Sequence, residues 1–439
     1  MLTAIILLQL AIVLALIFIG ARVGGIGLGI YGMVGVFVLV YLFGLPTGKA
    51  PIDVMMIIVA VISAAAALQS SGGLEYLVGL AARFLRRHPD HITYYGPLCC
   101  WLFCVVAGTA HTCYSLLPII SEIAQANKTR PERPLSVAVI AASLGITGSP
   151  VSAATAALIS QDLLGGKGIE LGTILIVALP ASLVAILVAA FIQNHIGRNL
   201  SDDAEYQRRV REGLINPEED RKQLEKAVAE PQPRAKWSVL AFLVGVAVVV
   251  VLGFFPQLRP EGVSMSETIE MVMMSDAVLI LLVGKGSVKA AAKGSIFSAG
   301  MSAVVGIFGV AWMGSTFYAG NAEVINHALS GMVTSAPFLF AVALFVMSIM
   351  LFSQAATVTT LYPVGIALGI PPMLLVAMFP AVNGYFFLPN YPTEVAALEF
   401  DRTGSTHVGR FVVNHSFQLP GFVTTIVSIA VGYAITLIL

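Results

Sequence analysis

Apolar residues come in long uninterrupted blocks along this chain. Leu2 to Gly20 carries no charge, and neither does Trp237 to Pro256. About 20 residues of helix cross the hydrocarbon core of a bilayer, so these blocks predict transmembrane α-helices. No basic residue precedes the first block and no clear small-residue cleavage site follows it, so it reads as a retained helix rather than a signal peptide. The pattern fails in one region, Asn199 to Lys236, which is dense in both charge signs. There Ser201-Asp202-Asp203 predicts a helix N-cap with acidic first-turn residues. Asn216-Pro217-Glu218-Glu219 predicts a second, with proline at the first helical position. The region reads as a solvated linker of two short helices closed by Pro231 and Pro233. It divides the chain into a first membrane repeat (1–198), a linker (199–236) and a second membrane repeat (237–439).

Polar interruptions recur in matching order in the two halves. Gly108-Thr109-Ala110-His111 is followed by Pro118, ten residues after Gly108, and Ser353-Gln354-Ala355-Ala356-Thr357 by Pro363, ten residues after Ser353. Ser149-Pro150-Val151-Ser152 then precedes Ala156-Ala157-Leu158, and Pro389-Asn390-Tyr391-Pro392-Thr393 precedes Ala396-Ala397-Leu398. Corresponding breaks in both halves of a membrane chain point to a repeat-built transporter with discontinuous helices at its binding site.

Charge placement orients this arrangement. With an outside N-terminus, each half has three spans, a re-entrant hairpin, a broken span and a final span. All but Lys49, Lys167 and Arg259 of the 24 Lys and Arg then fall in the cytoplasm, as the positive-inside rule requires. Reading either hairpin as a full span reverses everything after it and spoils the match. The expected fold is therefore an all-α polytopic membrane protein of about ten transmembrane helices and two hairpins in inverted-topology repeats. Composition agrees. The 439 residues are 57% apolar and 11% charged, against about 25% charged in a soluble domain. Net charge is zero, which offers nucleic acid no attraction.

A helix broken inside the membrane is costly unless its freed backbone groups line a polar site. The N–H groups at a half-helix start amount to roughly half a positive charge, enough to hold an anion without a buried cation. Hydroxyls and amides then orient it: Thr109, Ser149, Ser152 and Thr155 from the first half, Ser353, Gln354, Thr357, Asn390 and Thr393 from the second. The competing reading of these hydroxyls is back-bonding to the preceding helical turn. His111, the one titratable group of the first tip, either donates to a substrate carboxylate or is satisfied by a backbone carbonyl. Asp276 is a contact between helices or a cation ligand. Gly20, Gly24, Gly25, Gly27 and Gly29 suggest close helix packing. Met271, Met273 and Met274 read as lipid-facing or core residues. Cys99, Cys100, Cys104 and Cys113 lack metal-site spacing and read as small hydrophobes.

Several of these stretches resemble the anaerobic C4-dicarboxylate transporter (Dcu) family. They include Gly20-Ala21-Arg22-Val23-Gly24-Gly25-Ile26, Gln69-Ser70-Ser71-Gly72-Gly73-Leu74, Gly108-Thr109-Ala110-His111, Arg130-Pro131-Glu132-Arg133-Pro134, Ser353-Gln354-Ala355-Ala356 and Leu388-Pro389-Asn390-Tyr391-Pro392. The match is densest from Asp401 to Phe411 and in Asn414-His415-Ser416-Phe417. The resemblance implies antiport of fumarate, succinate, malate or aspartate in a bacterial inner membrane under anaerobic respiration. It also implies a homodimer with a static scaffold and an elevator-like transport domain, and a sensor kinase as a further partner at the linker. No cofactor is called for, and Na⁺ or H⁺ coupling stays open. A sodium-coupled symporter of another di- or tricarboxylate or divalent anion fits the same architecture. An intramembrane enzyme built on Cys113 and His111 does not, because residues two apart on a helix do not face each other.

Overall fold

The computed structural model describes residues 2–213, 215, 233–335, 337–389, 391–409 and 414–439. Among them the chain is helical, with one isolated β-bridge between Val408 and His415. Three long helices open it: α1 (Leu2–Val23), α2 (Gly27–Phe37, continued by a π turn to Leu42) and α3 (Ile52–Ser70). The amphipathic α4 (Gly73–Arg87) follows. A first hairpin is built from α5 (Ile92–Ala107), a 3-10 turn over Ala110–Ser115, and α6 (Leu117–Ala126). The first broken helix is α7 (Glu132–Thr147) with α8 (Ala153–Leu158), and α9 (Leu171–Asn194) closes the half.

After α10 (Ala204–Arg211) the order recurs: α11 (Ala235–Phe254), α12 (Met265–Gly284), the short α13 (Val288–Lys293) and α14 (Ser295–Ser335). A second hairpin pairs α15 (Leu339–Leu351) with α16 (Gln354–Ala367). The second broken helix is α17 (Pro372–Met378), running as 3-10 helix through Phe387, then α18 (Pro392–Phe400) after a 55° bend. The last helix is α19 (Gln418–Thr436). Five of these, α3, α9, α11, the Ser295–Ile325 part of α14 and α19, are each long and apolar enough to cross a membrane.

Local chemistry sets the starts. Ser264 and Glu267 form a capping box before α12, with the Ser264 N–H donating to Glu267 Oε2 at 2.8 Å, which satisfies two orphan donors reciprocally. Proline opens α17 and α18, where a missing N–H costs nothing. In the linker the cap of α10 is Asp203, which accepts from the Tyr206 N–H at 3.0 Å. The cap expected at Ser201 is thus displaced by two residues, because Leu200–Asp202 turns as 3-10 helix first. The second expected linker helix lies outside the described residues.

The helices pack as two groups. In one, α2 and α14 approach through glycine: a Cβ on Gly309 would lie 1.8 Å from the Gly29 carbonyl, and one on Gly32 would lie 2.4 Å from the Gly309 backbone. Small residues let helix backbones meet this closely. Gly24 and Gly25 instead serve the α1–α2 turn, both at positive φ. The loop before α3 is pinned to α14, with the Trp312 Nε1–H donating to the Gly48 carbonyl at 2.9 Å and the Gly48 N–H to Thr316 Oγ1 at 3.1 Å. Helices α3, α11 and α12 complete this group. Asp276 of α12 faces Gly245 of α11 and is buried, its Oδ2 without a partner among the described residues. Met273 is buried in the core, while Met271 and Met274 point outward. The other group holds both hairpins, both broken helices, α9 and α19.

Candidate substrate site

A cavity of about 490 Å³ lies where the hairpin tips and the helix breaks converge, a volume typical of small-molecule sites. Gly108, Thr109 and Ala110 reach it from the first tip, and Leu351 to Ala356 from the second. Ala153 and Ala154 line it from the first break, Tyr391 and Pro392 from the second, and Tyr385 from the 3-10 stretch. The opposite wall belongs to the other helix group: Gly20, Gly24, Gly25 and Leu28 of the α1–α2 turn, and Ser302, Ala303, Gly306 and Ile307 of α14.

Both tips turn sharply. Gly108 ends α5 in the left-handed region at φ 68°, and a Cβ there would sit 2.6 Å from the Val151 carbonyl oxygen. Only glycine lets the tip lie against the break. At the second tip Phe352 takes φ 49°, an unfavourable conformation for a bulky side chain that persists where surrounding structure imposes it. Its ring stacks on Tyr391, which in turn lies 4.3 Å from the Tyr385 ring.

Of the ten positions expected to bind substrate, Thr109, Ser353 and Gln354 line this cavity. Five do not. Ser149, Ser152, Thr155, Thr357 and Thr393 are buried away from it. Ser149 Oγ accepts from the Val151 N–H at 3.3 Å, and Ser152 Oγ caps α8 by accepting from the Thr155 N–H at 3.1 Å and donates to Thr155 Oγ1 at 3.0 Å. Thr357 Oγ1 donates to the Ser353 carbonyl at 2.8 Å. These hydroxyls satisfy the backbone that the breaks set free, the competing reading made above. Thr393 Oγ1 is buried without a partner among the described residues. Asn390 and the side chain of His111 lie outside the described residues.

Gln354 reaches across rather than inward. Its amide nitrogen lies within hydrogen-bond reach of the Ser143 carbonyl oxygen at 2.8 Å, Tyr385 Oη at 3.2 Å and Asn383 Oδ1, and its two N–H hydrogens, shared among these acceptors, tie the second tip to both broken helices. The buried Oε1 has no partner among the described residues. Sequence reasoning passed over Tyr385, Asn383, Ser302 and Glu394. Tyr385 and Tyr391 look like ordinary membrane-interface aromatics, and only the kink at Asn383 (φ −98°, ψ 18°) brings Tyr385 to the cavity.

The densely matched block from Asp401 builds a different structure, a polar knot next to the start of α7. Asp401 accepts from the Thr403 N–H (3.0 Å), the Ser405 hydroxyl (2.7 Å) and the Thr406 N–H (2.6 Å). Ser405 Oγ also accepts from the Glu132 N–H at 3.0 Å, while Ser416 Oγ donates to Glu132 Oε1 at 2.6 Å. Arg130 bridges Glu132 at 2.5 Å and Asp203 at 2.6 Å, which anchors the linker here. His407 Nδ1 lies 3.3 Å from Glu132, and this hydrogen bond raises the His407 pKa. The cysteines pack behind the first tip: Cys100, Cys104 and Cys113 are fully buried, with Cys113 Sγ 3.3 Å from Cys100 Sγ.

The family described as anaerobic C4-dicarboxylate membrane transporter matches residues 5–439. The chain belongs to this family. It is 38% identical over 439 residues to the anaerobic C4-dicarboxylate transporter DcuB of Escherichia coli O157:H7, covering 97% of each chain. It is 39% identical over 439 residues to the C4-dicarboxylate transporter DcuA of Wolinella succinogenes, covering 98% of this chain and 99% of that one. Among solved structures, the Alcanivorax borkumensis YdaH transporter aligns over 99% of this chain and 98% of its own, with a TM-score of 0.49 and 17% identity. The family is one of membrane transporters, not of enzymes. With the apolar helices, this makes the chain a multi-pass protein of the bacterial inner membrane.

Proposed function

We propose that this member of the family exchanges C4-dicarboxylates by alternating access, with the hairpins and broken helices moving as one body against the α1–α3, α11, α12 and α14 group. The observation that carries this reading is the cavity described above, which takes both tips and both breaks on one side and the other helix group on the opposite wall. Rigid movement of one bundle around a site at its edge is an established route to alternating access. The two halves are inverted repeats of five spans and a hairpin each, in a homodimer assembled through the static group; a sensor-kinase contact at the linker belongs to the same proposal. Charge placement supports reading this conformation as inward-facing. The wall at Gly24 and Gly25 belongs to the turn beside Arg22, and Ser302 lies about 11 Å along α14 from its basic, cytoplasmic end. On the other face, Lys49 beside α14 pairs with Asp162 of the moving body.

One substrate carboxylate lies at the first tip beside Thr109, the other between Ser353, Tyr385 and Tyr391. The test is counterflow in proteoliposomes loaded with labelled aspartate. External succinate, fumarate or malate should release the label, and external butyrate should not. Release driven by sodium without any external dicarboxylate would overturn the exchange reading.

A further inference from the structure

The cavity wall carries no charged side chain among the described residues, yet an acid sits directly behind it. Glu394 is the third residue of α18 and is 1% exposed. Its Oε2 accepts from the Tyr391 N–H at 3.4 Å, so the carboxyl occupies the helix start whose first residues, Tyr391 and Pro392, face the cavity.

No described cation compensates it. Helix α18 packs on α6, on α7 and on the Ala110–Ser115 turn. The first brings Glu122, committed to Arg86 at 3.2 Å; the second brings Glu132, committed to Arg130 at 2.5 Å, and Arg133, which donates to the Ile196 and Gly197 carbonyls and to Asn199 Oδ1. The turn brings Cys113, Tyr114 and His111, the last with its side chain outside the described residues. A lone buried carboxylate in a membrane domain holds its charge at a cost, so a further anion beside it is enough to favour the protonated form. A substrate carboxylate arriving at the same helix start adds a second anion to donors already in use. Protonation removes the repulsion and turns Glu394 into a hydrogen-bond donor.

We propose that Glu394 is the proton-coupling residue of this carrier. It takes one proton from the solvent when a C4-dicarboxylate dianion binds and returns it when the dianion leaves. Exchange of one dianion for another then moves no net proton, whereas net uptake carries one proton inward per substrate. The inference rests on the site assigned under the proposed function.

The test measures succinate affinity and proton uptake on the purified full-length chain, in weakly buffered detergent with a pH-indicator dye. Between about pH 6.5 and 8.5 succinate itself stays a dianion, and the parent affinity should fall up to about tenfold per pH unit, with about one proton taken up per succinate bound. Glu394→Gln, a fixed mimic of the protonated acid, should bind with an affinity that does not vary with pH and take up no proton. Glu394→Asp should keep the pH dependence but shift its midpoint. A parent whose affinity is flat over this range with no proton uptake overturns the proposal, as does Glu394→Gln with the parental slope. If Glu394→Gln does not fold, an unshifted midpoint in Glu394→Asp overturns the assignment. A parent that binds no succinate at any pH defeats the underlying site instead.

Discussion

Gly108→Ala probes the contact on which the cavity depends. Gly108 sits at φ 68° and an added Cβ would approach the Val151 carbonyl oxygen to 2.6 Å and its carbon to 3.0 Å. The left-handed backbone alone costs a β-carbon about 1–2 kcal/mol. Ordinary van der Waals contact begins near 3.4 Å, so the tip and the break must separate by roughly 0.8 Å, and overpacking of this kind adds about 1–3 kcal/mol. Such a displacement also stretches a hydrogen bond of normal length beyond its useful range. Losing one to a charged ligand costs about 1.5–3 kcal/mol, or about ten- to hundredfold in affinity. Gly79→Ala is the control. It lies mid-helix in α4 with nothing within 4 Å of the new Cβ, and should be neutral or stabilising by about 0.5–1 kcal/mol. Both variants would be compared with the parent by thermal melting in detergent and by equilibrium binding of labelled succinate. Gly108→Ala that melts and binds like the parent would show that the tip does not rest on the break, and the cavity as described would be wrong.

Gln354→Ala removes the amide that supplies Ser143, Asn383 and Tyr385, leaving buried acceptors unpaired. It should cost about 1–3 kcal/mol of stability, read as a lower melting temperature, and an unchanged melting curve would refute the tie. His407 carries a pKa raised by its hydrogen bond to Glu132. Its contribution is therefore complete below about pH 6.5, the unfolded value, and is lost as pH rises through the raised folded value. The parent should lose melting temperature across that interval more steeply than His407→Gln, and equal slopes would sink the assignment. For topology, single cysteines at Lys49, Arg87, Lys128 and Lys167 in a cysteine-free background are labelled with an impermeant maleimide from outside. Positions 49 and 167 should react and 87 and 128 should not; labelling at 128 would break the hairpin assignment. Lys128 is preferred to Arg130 because Arg130 holds Glu132 and Asp203 together.

Helices, breaks and their order were legible in the residues alone, because the signals are local. An apolar run long enough to cross a bilayer can scarcely be anything else, and Gly108, Pro150, Ser353 and Pro392 mark breaks by backbone chemistry that needs no partner. The same locality hid the roles of the hydroxyls. At a break, a serine or threonine satisfies a freed backbone group as readily as it would a ligand, so Ser149, Ser152 and Thr357 read identically in both roles. Tertiary packing decides only where each one sits: Ser353 Oγ caps α16 by accepting from the Ala356 N–H at 3.2 Å and still lines the cavity, as Thr109 does, whereas Ser149, Ser152 and Thr357 bond backbone groups away from it. Gln354 meets Ser143, 211 positions away in sequence, and the Asp401 block meets Glu132 through Ser405, 273 positions away. No periodicity encodes such distances. They arise because two halves of the chain, each with its own breaks, must bury those breaks against one another, and only the assembled bundle determines which side chains are left facing the space between them.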